Sequence, residues 1–274
     1  MCGIFGLGFM RGNNIKDTGS IHDIIRSLFT ENMARGRTAS GLAYVSYEGI
    51  KVIKKNVPAS VLINLPEYKE TENEFIKYDV TNTNGVSLPI SVIGHCRLKT
   101  KGTELKNVNN HPIVRPNVVG VHNGCIANDD DLFHTYSNLF DRNGEVDSEI
   151  IFALVEHFSK NNNMPIHASI QNMARIVMGS FACAMVHYMH PHVIWLFRRS
   201  NPCELILFED IGMVMWASDI SHIKTSIKDF DHDANSVKEI KISMNSGVGI
   251  DLHRNKIHHF ELETQNSLYD YTYD

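Results

Sequence analysis

The chain opens Met1-Cys2-Gly3-Ile4-Phe5-Gly6, "MCGIFG". From Cys2 to Met10 the apolar residues alternate enough to predict a strand, broken at Gly6 and Gly8. A cysteine so close to a chain end is poorly placed for core packing, because termini fray. It is well placed for a nucleophile that borrows its own backbone amine as a base. The bland alternative is a small hydrophobe of the first strand. The choice turns on what the rest of the chain supplies.

Outward from that strand, Ser20 is positioned to cap a helix whose Ile21, Ile24, Ile25, Leu28 and Phe29 recur at helical spacing. Strands are predicted over 41–47 and 50–54, around a Glu48-Gly49 turn. Residues 57–88 are polar and irregular with one short helix, and read as an insertion. Turn-bounded apolar runs give strands at 90–96 and 118–122. Helices follow at 129–139, 147–159 and 166–176. From Ser180 the pattern turns to strands at 181–188, 192–198, 204–209 and 213–217, then a short helix after Asp219, then strands near 237–242 and 247–251. Strands, helices and strands without βαβ alternation predict an α+β layered sandwich, not a doubly wound sheet. Residues 262–274, ending "SLYDYTYD", read as an acidic, aromatic tail of a single 1–274 domain.

With 274 residues, 43% hydrophobic and a formal net charge of −5, the chain is an ordinary globular domain with no global field toward nucleic acid. No run approaches the roughly 18 apolar residues of a membrane span. The five cysteines contain no CxxC and suggest neither a disulfide framework nor a zinc site, so a reducing cytoplasm is expected. "HYMHPH" at 187–192 carries three histidines, but no acid or cysteine completes a ligand set there.

Five further motifs matter in order: "RGRTASG" at 35–41, "GHCRLKTKG" at 94–102, "VNNHP" at 108–112, "VVGVHNG" at 118–124 and "DSE" at 147–149. The residue types suit a site that takes a free α-amino acid. Arg97 offers a guanidinium fork for an α-carboxylate. Asp147 offers an acceptor-only anion for an α-ammonium, and also stands where a helix N-cap belongs. "HNG" offers two donors to an oxyanion, the Asn123 side-chain amide and the Gly124 N–H, and glycine permits close approach or positive φ there. His95, His111 and His122 read as structural residues bonding backbone around the site.

Together with "MCGIFG", and with "MGSFA" at 178–182 and "WASD" at 216–219, this ordered set resembles the glutaminase domain of class II glutamine amidotransferases, which are N-terminal nucleophile hydrolases. The resemblance covers about residues 2–230. It implies a four-layer αββα sandwich of two antiparallel sheets. It implies Cys2 as nucleophile after removal of Met1, with Asn123 and Gly124 as the oxyanion cradle. Arg97, Asp147, Thr100 and Gly124 become substrate-binding residues. Arg35, Gly36, Leu98 and His111 become supporting residues, Arg35 ordering the loop of the nucleophile. No metal or cofactor is implied; the substrate is L-glutamine.

Three positions depart from the family pattern. Leu98 stands where the family has an aromatic residue, often tryptophan. Thr38 replaces the aspartate of its "RGxDxxG" motif, and Lys101 replaces a histidine, near the expected carboxylate pocket. About 45 residues follow the glutaminase-like region, too few for a synthase domain. The expectation is therefore a stand-alone glutaminase subunit feeding ammonia to a separate synthase. The alternative is a catalytically degenerate binding or assembly subunit that keeps the fold.

Overall fold

Gly3–Phe9 is a continuous strand, not a broken one, and Gly6 and Gly8 are the reason the core closes. Phe5, Leu7 and Phe9 point to one face, where they join the helix-side core, and Ile4 points to the other. A Cβ on Gly6 would lie 2.1 Å from Cζ2 of the buried Trp216, and one on Gly8 would lie 2.7 Å from Cδ1 of Ile194. These glycines leave room for side chains between two sheets packed face to face.

The computed structural model describes residues 2–79, 85–161 and 164–262; the expected tail from 263 onward lies outside them. Gly3–Phe9 is the central strand of a seven-stranded sheet ordered Val237–Ile240, Glu204–Phe208, Met213–Ala217, Gly3–Phe9, Ser91–Arg97, Ala39–Val45, Ile50–Lys55. A six-stranded sheet runs Lys256–Glu261, Ser246–Asp251, His190–Arg198, Gly179–His187, Val118–Ile126, Ile113–Val114. Every pairing in both sheets is antiparallel. Ile4, Ile93, Val119, Val121, Ala184, Ile194 and Trp216 fill the space between the sheets. The helices Thr18–Glu31 and Ile220–Ile227 cover the outer face of the first sheet, and Ser148–Asn161 and Ile166–Ile176 that of the second. This is the predicted αββα sandwich.

Local chemistry explains most boundaries. The first helix starts one turn earlier than Ser20 suggests. Asp17 is its cap, accepting from the backbone N–H of Gly19 and Ser20, which leaves Ser20 inside the first turn. The segment 57–88 holds two helices, Ala59–Leu62 and Pro66–Phe75, and a ribbon of Lys77–Tyr78 with Val86–Ser87. Leu62, Tyr68 and Ile76 are buried in the first sheet's core. Glu72, fully buried on the second of these helices, pairs with Arg26 and accepts from the Tyr68 hydroxyl at 3.0 Å. A buried carboxylate survives only with such partners.

Topology gathers one end of the sandwich. Gly3 pairs with Cys96, so the start of the first strand lies beside the end of Ser91–Arg97. At the same end, His95 Nε2 and the carbonyl of His122 are 3.1 Å apart, joining the two sheets one residue before Asn123.

Candidate active site

Cys2 leads directly into the central strand, and its surroundings come from the motifs. The Leu98 N–H donates to Cys2 Sγ at 3.3 Å, and the thiol lies 3.4 Å from the Leu98 carbonyl. Arg35 Nε donates to the Cys2 carbonyl at 2.9 Å. Gly36 lies so close to the backbone of Arg97 and Leu98 that a Cβ would sit 2.3 Å from the Arg97 carbonyl carbon. Any larger residue would push the 35–38 turn off Cys2. Burial pushes the Cys2 thiol above its ordinary range; the Leu98 N–H and the charge of Arg97 oppose that rise, and the charge of Asp147 adds to it. The thiol therefore needs a base to ionise near neutral pH.

Arg97 is buried and already partly engaged. One terminal nitrogen donates to Asn110 Oδ1 at 2.8 Å, and the other to the carbonyls of Lys101 at 2.7 Å and Gly102 at 2.8 Å. Three of its five N–H groups are thus spent among the described residues, leaving two for a ligand. Asp147 is buried at the head of Ser148–Asn161, where Oδ2 accepts from the Ile126 N–H at 2.7 Å. Asn123 is buried, and its Nδ2 has no hydrogen-bond partner among the described residues. Gly124 adopts φ +154°, and a Cβ there would meet the Ser180 carbonyl oxygen at 2.0 Å. Only glycine fits. Thr100 is exposed on the loop that follows Arg97, outside this buried group.

The departures from the family pattern resolve differently from one another. Thr38 donates its hydroxyl to the Arg97 carbonyl at 2.8 Å, fixing the same strand end that Gly36 packs against. Lys101, expected near the carboxylate pocket, points away from it. Its ammonium pairs with Asp129 at 2.6 Å and Asp130 at 2.9 Å, because two carboxylates at a helix start attract it more strongly than the cationic Arg97 allows. Leu98 is 43% exposed and borders a cleft of about 510 Å³ lined with Met33, Arg35, Gly36, Arg37 and Thr38. A larger cleft of about 820 Å³, lined by Phe9, Arg11, Tyr47 and His253, lies at the far end of the central strand and touches none of these groups.

The three histidines form one buried group. His95 and His111 stack at 4.1 Å between ring centroids, and His122 Nδ1 lies 2.8 Å from Ser148 Oγ. His111 does not bond backbone as expected; neither ring nitrogen has a partner among the described residues, and its contact is the stack. Burial holds all three imidazoles below the ordinary 6.5, His95 at about 3. The folded state therefore takes up these protons less readily than the unfolded chain does. Stability is complete above pH 6.5 and falls as pH drops below it, toward 3 for His95, by up to about 1.4 kcal/mol per pH unit for each histidine. Urea midpoints measured from pH 7.5 down to 5 are expected to steepen below 6.5, with a shallower slope in His111→Phe. An equal slope in that variant removes His111 from the account.

Sequence reasoning missed Asn110 and Lys54. Asn110 joins Arg97 to the Glu104 carbonyl, while Lys54 Nζ donates to the carbonyls of Asn110 at 2.7 Å and Pro112 at 2.9 Å. The signal for Asn110 was its place in "VNNHP". Lys54 carried none, being one lysine among several on an edge strand.

Residues 95–225 match the family model of a glutamine amidotransferase domain. The glutamine–fructose-6-phosphate aminotransferase of Streptococcus agalactiae is 31% identical over 123 residues, covering 44% of this chain and 20% of that protein. The enzyme of the same name from Aeropyrum pernix is 28% identical over 258 residues, covering 93% of this chain and 37% of its own length. The chain thus spans well under half of either relative. Among solved structures, the glutamine phosphoribosylpyrophosphate amidotransferase of B. subtilis superposes with a TM-score of 0.62 at 14% identity, over 96% of this chain and 49% of that one. A structure described as the allosteric regulatory enzyme of purine biosynthesis gives 0.66 at 14% identity with the same coverage. Those two likenesses establish a shared fold, and the sequence matches carry the family: this chain contains a class II glutamine amidotransferase domain with the N-terminal nucleophile hydrolase fold.

Proposed function

We propose that the chain hydrolyses L-glutamine to L-glutamate and ammonia, with Cys2 as nucleophile after removal of Met1. Arg97 takes the α-carboxylate through an N–H group that the chain leaves unused, and Asp147 takes the α-ammonium through the carboxylate oxygen that does not accept from Ile126. The Cys2 amine, with an ordinary pKa of about 7.7–8.0, accepts the thiol proton as sulfur attacks the side-chain amide carbon. Asn123 Nδ2–H and Gly124 N–H receive the oxyanion. Collapse breaks the carbon–nitrogen bond, and the amine returns its proton to the departing ammonia. Water, deprotonated by the same amine, then cleaves the thioester and releases glutamate.

The observation that supports this most is the buried Asn123 Nδ2, without a partner among the described residues, beside Gly124 at φ +154°. A buried donor that the described residues leave unused is available to an oxyanion. The remaining groups of the half-reaction also lie within these 274 residues. A reducing, cytoplasmic setting keeps the nucleophile and the other four cysteines as free thiols.

A diazoketone mimic of glutamine tests the reading. Intact mass is expected to show a chain lacking Met1 and one adduct, mapped to Cys2 and blocked by excess glutamine. Absence of both the adduct and glutamine-dependent glutamate release overturns the proposal and leaves the degenerate binding subunit.

A further inference from the structure

The loop after Arg97 is held from two sides. From within, Arg97 donates to the Lys101 and Gly102 carbonyls at 2.7 and 2.8 Å. From outside, the Lys101 ammonium reaches Asp129 at 2.6 Å and Asp130 at 2.9 Å. Both aspartates are shared with Arg142, at 2.9 Å from Asp129 and 2.5 Å from Asp130. Arg142 is itself fixed by the carbonyls of Gly144 at 2.8 Å and Glu145 at 3.1 Å, and its guanidinium lies over the Phe133 ring. Two cations and two anions therefore alternate in one cluster. Lys101 is the member that belongs to the loop; the other three belong to the 129–145 segment.

Three residues upstream, the same loop carries the Leu98 N–H that reaches the Cys2 sulfur. Lifting the loop from Cys2 carries Lys101 with it and separates the ammonium from both carboxylates. We propose that Lys101 is a positioning residue, an electrostatic latch that keeps loop 98–102 seated on Cys2 and on the substrate-binding fork of Arg97. Its role for glutamine rests on the glutaminase reading above; its role in seating the loop does not. The latch is tunable by salt because it is only partly buried: Lys101 is 38% exposed, Asp129 4% and Asp130 70%. Screening shortens the reach of such charges to roughly 4 Å at about 0.5 M salt. Loss of Lys101 leaves Asp129 paired with Arg142, so no buried carboxylate is orphaned and the fold stands.

Amide hydrogen exchange over residues 98–103, read in wild type, Lys101→Met and Lys101→Arg, tests the latch without requiring turnover. Lys101→Met is expected to speed exchange in this loop about fivefold, the scale of a partly exposed ion-pair network. Lys101→Arg restores protection. About 0.5 M NaCl loosens the wild-type loop and adds little to Lys101→Met. In the glutaminase assay Lys101→Met raises KM for glutamine by a similar factor with kcat within twofold. Unchanged exchange in Lys101→Met, or equal salt responses in the two proteins, overturns the latch. A wild-type chain without glutaminase activity overturns the functional reading instead, and the exchange result still decides the latch.

Discussion

Cys2→Ala is expected to reduce glutamate release from glutamine by about 10⁴-fold or more, the scale of losing a covalent nucleophile. The alanine chain keeps the amine, the Arg97 fork, the Asp147 anchor and the oxyanion donors, so glutamine binding by calorimetry is expected to stay within about twofold. Cys2→Ser separates sulfur from position. Its hydroxyl ionises far less readily than a thiol, and the burial that raises the cysteine disfavours an alkoxide still more. A residual rate at least about 10³-fold below wild type is therefore expected from serine. Wild-type kcat/KM is expected to rise with pH up to about 8, since the reactive form carries a neutral amine. Glutamate release that survives in Cys2→Ala would show that another group performs the attack.

Much of the candidate site's geometry was legible because its residues sit in short, contiguous motifs near the ends of elements. Cys2 leads into one strand, Arg97 ends another, Asn123 and Gly124 lie in the second half of a third, and Asp147 heads a helix. What stayed hidden was direction. A sequence cannot say that the Lys101 side chain leaves the loop toward Asp129 while its carbonyl returns to Arg97. Nor can it separate a glycine that interrupts a strand from one that admits an opposing tryptophan, the difference at Gly6. The strand Lys256–Glu261 escaped because a sheet edge with one wet face dilutes the apolar alternation with histidine and lysine. The single short helix expected in 57–88 is two, and the inward stripe of Pro66–Phe75 rests on Tyr68, Thr71 and a paired Glu72, residues that periodicity counts as polar or ambiguous.

Asn123→Ala separates catalysis from stability at a single atom. Removal of one oxyanion donor is expected to lower kcat by about 10²–10³-fold with little change in KM, because the donor strengthens its bond only as charge develops on the amide oxygen. A buried asparagine that merely braced the fold would behave oppositely: its truncation would strand partners and cost about 1–3 kcal/mol. Here Nδ2 has no partner to strand among the described residues. The folded protein already bears the desolvation of that donor, so the variant is expected to unfold at the wild-type urea midpoint or above it, an exchange of stability for preorganisation. Asn123→Asp sharpens the contrast, since a carboxylate facing the forming oxyanion repels it and leaves less activity than alanine does. A fall in urea midpoint alongside an unchanged kcat in Asn123→Ala would assign this residue to the scaffold and leave Gly124 as the sole proposed donor.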